Sequence, residues 1–228
     1  MGSFYSNIHL RTADRATLER AWDQYWAQHG AMSWAMVSPP YAGWISVFDW
    51  QCDQMQTETL RALSAFLSER ASCAALAFQV QDSELAEYWL ADRGKEVDHF
   101  TSNMAYVPTF APHTPTLDED GVFDGFGPDI TEARPGEADL TDGGNTGLLL
   151  ALTGARVPDI ELDAILRSPA AIADDILTAL ASALGINDTW AAVGYHYLVT
   201  EGDTIPGIGE FHHLPVGAPP NRHGVPDD

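Results

Sequence analysis

Positive charge is scarce in this sequence. Eleven Lys and Arg residues stand against 33 Asp and Glu, a formal net charge of −22 over 228 residues. Recognition of a phosphate backbone needs clustered Lys and Arg, and no such cluster occurs, so nucleic-acid backbone binding is excluded. Attachment to an anionic membrane surface is disfavoured for the same reason. Cysteine is nearly missing as well: Cys52 and Cys73 are too few for a disulfide scaffold. No apolar run reaches the length of a membrane span. The N-terminus lacks a basic segment followed by an apolar one, which points to a cytoplasmic protein. The G-x-S-x-G, kinase and Rossmann signatures are absent too. What is present is 45% hydrophobic residues, enough to fill a core in a chain of this length.

Charge is unevenly spread. Residues 1–110 hold 13 acids and 7 bases, whereas residues 111–228 hold 20 acids and 4 bases. Three prolines between 108 and 115 favour an extended connector at that boundary. The expected organisation is an α+β domain over 1–110, an acidic Pro/Gly-rich connector over 111–142, and a helical C-terminal region with an irregular tail over 143–228.

In the first part, Phe4, Ser6, Ile8 and Leu10 alternate with Tyr5, Asn7, His9 and Arg11, the pattern of a half-buried strand. Gly2 and Ser6 also fit the loose pattern for N-myristoylation, against which stands the plainer reading that Gly2 leads into this strand. Asp14 is placed to cap a helix carrying Leu18, Ala21, Trp22, Tyr25 and Trp26 on one face, with Gly30 ending it. Strands follow near 33–37 and 44–48. Asp53 and Gln56 suggest a capping box ahead of a second helix bearing Leu60, Leu63, Phe66 and Leu67. A buried strand over 75–80 leads to a hairpin, 85–91 with 96–100, around Asp92-Arg93-Gly94-Lys95, with Gly94 available for positive φ. This order predicts a split βαβ, ferredoxin-like sheet with helices on one face. The tryptophans, concentrated here, follow helix and strand periodicity and read as core rather than as a base-stacking platform. Cys52 and Cys73 flank the second helix at opposite edges of the sheet and read as two reduced thiols.

Met1 to Asn7, the strand end Val47-Phe48-Asp49, Cys73-Ala74-Ala75-Leu76-Ala77 and the hairpin Tyr88-Trp89-Leu90 with Gly94 and Val97-Asp98 resemble a family of uncharacterised bacterial proteins that begin with an MGSFY stretch. The resemblance covers the first 110 residues, and more weakly the rest through Leu184-Gly185 and residues 193–198. It implies a bacterial, cytoplasmic protein and no particular activity. Residues 26–43, with two prolines, are longer than the family pattern.

In the second part, nine acids fall between 118 and 142. Aligning Gly121 with the central glycine of an EF-hand loop places Asp118, Asp120 and Asp124 at calcium-ligand positions. Thr116 and Gly127 then occupy the first and twelfth positions, where an Asp and a bidentate Glu belong. Gly143-Gly144-Asn145-Thr146-Gly147 lacks the Lys of a phosphate loop and reads as the start of a helix capped by Asn145 or Thr146. Helices are expected over 147–152, 159–166 and 170–184, the last with Ser168 at its cap and Gly185 at its end. His196, His212 and His213 are the candidate transition-metal ligands, although adjacent histidines on a strand point to opposite faces.

The expected function is that of a non-enzymatic, soluble acidic protein acting by protein–protein contacts on a basic partner, as an inhibitor, an immunity-like factor or a stress-associated factor. No cofactor is predicted. The alternative is a divalent-metal-dependent, hydrolase-like enzyme using the C-terminal histidines and carboxylates.

Overall fold

A computed structural model describes residues 2–12, 14–103, 141–168 and 172–215. The acidic segment with Asp118, Asp120 and Asp124 therefore lies outside the described residues. The first part runs β1 (Phe4–Leu10), α1 (Arg15–His29), β2 (Ala35–Val37), β3 (Ile45–Asp49), α2 (Trp50–Asp53), α3 (Thr57–Ala71), β4 (Ala74–Gln81), β5 (Leu85–Asp92) and β6 (Lys95–Thr101). The second runs β7 (Asp142–Gly143), α4 (Thr146–Thr153), α5 (Asp159–Leu166), α6 (Ala173–Leu184), α7 (Asp188–Ala191) and α8 (Tyr195–Thr200). Two 3-10 turns, Gly202–Thr204 and Ile208–Glu210, then lead to β8 (His212–Leu214).

All eight strands form one sheet in the order β7-β6-β5-β4-β1-β3-β2-β8, and every neighbouring pair is antiparallel. The fold is thus mixed α+β around a single sheet. Local chemistry accounts for many of its boundaries. Asp14 accepts from Thr17 N–H at the start of α1, and Gly30 ends that helix at φ 62°. Arg93 (φ 47°) and Gly94 (φ 85°) form the β5–β6 turn, where two successive positive φ values match the twist of a two-residue hairpin. Gly2 packs so closely on the backbone of Asp82, in the β4–β5 turn, that a Cβ would collide with it, and its N–H donates to Asp82 Oδ1 at 3.2 Å. Cys52 is buried, Cys73 is half-buried, and both are free thiols.

The sheet is covered on both faces. Helices α1 and α3 cover one, packing Leu18, Trp22, Leu60 and Leu63 on Ile8, Leu10, Val47 and Ala77. Helices α4, α5 and α6 cover the other, packing Leu149, Leu162, Leu177 and Leu180 on Leu76, Phe78, Tyr88 and Phe100. A third cluster, Trp190, Tyr195, Leu198 and Phe211 on Met36 and Phe48, extends that second layer. The expectation of helices on one face therefore holds for α1 and α3 alone. Strand β1 is not half-exposed either: Tyr5, Asn7 and His9, polar enough to pass for a solvent side, are 4%, 1% and 0% exposed beneath the later helices.

One helix start differs from the sequence expectation and one follows it. Helix α6 begins at Ala173 with Ile172 as its cap residue and no side-chain cap, and residues 169–171 lie outside the described ones. Helix α4 begins as read, with Asn145 accepting from Leu148 N–H at 3.0 Å.

Candidate functional site

The most constrained chemistry lies where β3 runs into α2. Asp49, the last residue of β3, is 1% exposed. Its Oδ2 accepts from the indole N–H groups of Trp22 (2.7 Å) and Trp26 (3.0 Å) and from Ser33 Oγ (3.0 Å). Its Oδ1 accepts from Cys52 N–H at 3.1 Å and caps the single turn of α2. Burial pushes the carboxyl up, and these four donors oppose that shift. The Cys52 thiol beside it is pushed well above the usual thiol range, by burial and by the neighbouring Asp49 carboxylate.

One turn on, Asp53 does not form the capping box expected with Gln56. Gln56 itself is the cap residue of α3, but its side chain accepts from no backbone N–H of that helix. Asp53 is spent instead on distant backbone: Oδ1 accepts from Ser6 N–H (3.1 Å) and Oδ2 from His196 N–H (2.8 Å). Burial pushes its carboxyl up to about 7, against those two donors. Gly194 fits against this carboxylate so closely that a Cβ would collide with it. Sequence reading missed both the buried Asp49 and the half-buried Asp53. The available signal was an Asp ending the apolar run Ile45-Ser46-Val47-Phe48.

The candidate metal ligands are dispersed. His212 and His213 point to opposite sides of the sheet, as alternation on a strand requires. On one side His212 Nδ1 meets Glu19 Oε1 of α1 at 2.8 Å. On the other, His213 lines a cavity of about 470 Å³ with Met36 of β2, residues 198–200 of α8, and Asp203 and Ile208 of the 3-10 turns. Burial lowers the His213 pKa. His196 is exposed, and it is its backbone that is used, through Asp53. Among the described residues no group of three or more His, Cys, Asp or Glu side chains is placed to hold a metal ion.

One more buried group stands out. His9 is fully enclosed; its Nδ1 meets Ser46 Oγ at 2.8 Å, its Nε2 has no partner, and its ring lies edge-on to Phe78. Burial lowers its pKa to about 3, so it is neutral at physiological pH.

The outer helical layer is strongly acidic. Residues 141–215 carry ten acids and two bases. Asp159, Glu161, Asp175 and Asp188 are exposed, and Ile160, between two of them, is 79% exposed. Some of the cations are engaged: Arg167 bridges Asp163 at 2.9 Å, Arg61 pairs with Glu58 and Glu96, and Arg15 pairs with Glu19. Among the described residues no helix is long and apolar enough to cross a membrane. Comparison with protein-family models, curated proteins and solved structures finds no match.

Proposed function

We propose that the chain acts by binding, not by catalysis, and that its acidic helical layer recognises a basic protein partner. The observation that carries this reading is the imbalance of the second layer. Arg167 is spent on Asp163, while Asp159, Glu161 and Asp175 are exposed with no cation paired to them among the described residues, and the first two flank the exposed Ile160. Such a surface steers a basic partner by complementary potential, and an apolar centre adds area that can be desolvated on contact. Cytoplasmic action fits the two unpaired thiols. The run β4-β1-β3-β2, with α1 and α3 on one face, supports a ferredoxin-like unit at the centre of the sheet.

Affinity capture at about 50 and about 500 mM salt, spanning weak to strong screening, tests the reading. The expected result is a discrete basic protein retained at low salt, released at high salt, and not retained by a D159N/E161Q/D175N variant. Absence of any salt-sensitive partner, or equal retention by the neutralised variant, sinks it.

A further inference from the structure

The cavity beside β8 has a composition that selects a ligand class. Its volume of about 470 Å³ lies within the usual range of small-molecule sites, about 300–1,000 Å³. Half-buried Val199 and Ile208, set over buried Met36 and Leu198, give it its apolar surface. Asp203, exposed at its rim, supplies a carboxylate, and no Lys or Arg is among the described residues that line it. Thr200 Oγ1 donates to the carbonyl of His196 at 3.0 Å, which leaves the hydroxyl oxygen free to accept. The His213 imidazole, whose charged form is disfavoured by burial, offers a neutral hydrogen-bonding edge.

We propose that this cavity binds a small organic cation, an ammonium carried on an apolar body, with Asp203 as its counter-ion and Thr200 and His213 as hydrogen-bonding partners. An anion would meet the Asp203 carboxylate with no cation to offset it. A metal ion would lack a third ligand from the described residues. An ammonium satisfies the carboxylate and the acceptors together, while its hydrocarbon rests on half-buried Val199 and Ile208. This site is separate from the acidic surface of α5 and α6 and stands independently of the protein-contact reading.

Phenethylamine, with its neutral and anionic counterparts 2-phenylethanol and phenylacetate, tests the proposal by calorimetry and by NMR of the histidine rings. Phenethylamine is expected to bind at least about tenfold more tightly than the alcohol, a difference of about 1.4 kcal/mol, and phenylacetate not at all. The His213 ring resonances should shift on titration while those of enclosed His9 stay fixed. D203N should bring the amine down to the affinity of the alcohol, and V199W, which fills the cavity from α8, should abolish both. Equal affinity for the three probes, an unaltered amine affinity in D203N, or saturation without a shift at His213 would overturn it.

Discussion

Asp53 Oδ2 accepts a hydrogen bond from the backbone N–H of His196 at 2.8 Å, joining residues 143 positions apart, while its other oxygen holds Ser6 N–H of β1. One carboxylate therefore ties the first strand to the start of α8. Gly194 is the residue that lets the chain come close enough, since a Cβ there would collide with the carboxylate.

D53A is expected to destabilise the protein by about 2 kcal/mol or more, because two N–H groups lose their acceptor. G194A alone should also destabilise it, through the collision. Combined with D53A, the glycine substitution should cost much less, because the obstructing oxygen is gone. Urea denaturation of the two single variants and the double variant measures this coupling; strictly additive losses would contradict the close packing.

His9 and Asp53 should give pH dependences of opposite sign. The folded pKa of His9, about 3, lies below its ordinary 6.5, so the stability that rests on neutral His9 is present above pH 6.5 and is lost as pH falls toward 3. The folded pKa of Asp53, about 7, lies above its ordinary 3.8, so its contribution is greatest at low pH and declines between about 4 and 7. Each slope is about 1.4 kcal/mol per pH unit at full effect. Relative to wild type, H9Q should therefore lose most at pH 7 and progressively less toward pH 5. D53N should lose more at pH 5 than at pH 8. Denaturation midpoints across this range test both signs.

Asp49 is expected to be the most costly of the acids to truncate. In D49A two indole N–H groups, the Ser33 hydroxyl and the Cys52 N–H all lose their acceptor inside the core, which should cost about 3 kcal/mol or more. D49N retains one acceptor oxygen and should fall between D49A and wild type. Urea unfolding gives the ranking, and tryptophan emission should report altered surroundings of Trp22 and Trp26 in both variants.

The excess of acid should make the folded state sensitive to ionic strength. Self-repulsion among 33 acids opposed by 11 bases is weakened by screening, so Tm should rise between about 20 and 200 mM sodium chloride. The D159N/E161Q/D175N variant should start from a higher Tm at low salt and gain less. Calorimetric scans of both proteins across the salt series provide the comparison.

Local features were legible wherever a short stretch of chain carries its own instructions. The Asp14 cap, the Gly30 end of α1, the Arg93-Gly94 turn and the Asn145 cap of α4 each depend on residues within a few positions. What escaped reading depends on partners far along the chain. Tyr5, Asn7 and His9 look like a wet strand face because no local pattern shows that α4, α6 and α7 will cover them. Asn7 Nδ2 donates to the carbonyls of Ala191 and Val193, at 3.0 and 2.9 Å, 184 and 186 residues away. Asp53 looked like a cap because its spacing to Gln56 suits one, but the backbone it serves belongs to β1 and α8. The cavity, likewise, exists only because β8 returns to pair with β2, bringing His213 opposite Met36.

The two-sided covering of the sheet has a consequence for synthesis. Strands β1 to β6 are complete once residue 101 has left the ribosome, yet the side chains that shield Phe78, Tyr88 and Phe100 come from helices ending at Leu184. At roughly 5–20 residues per second, the nascent sheet waits on the order of five to fifteen seconds with one apolar face open. A message truncated before the codon for Leu184 would release a product that keeps that face, and it should depend on chaperones or aggregate where the full chain does not.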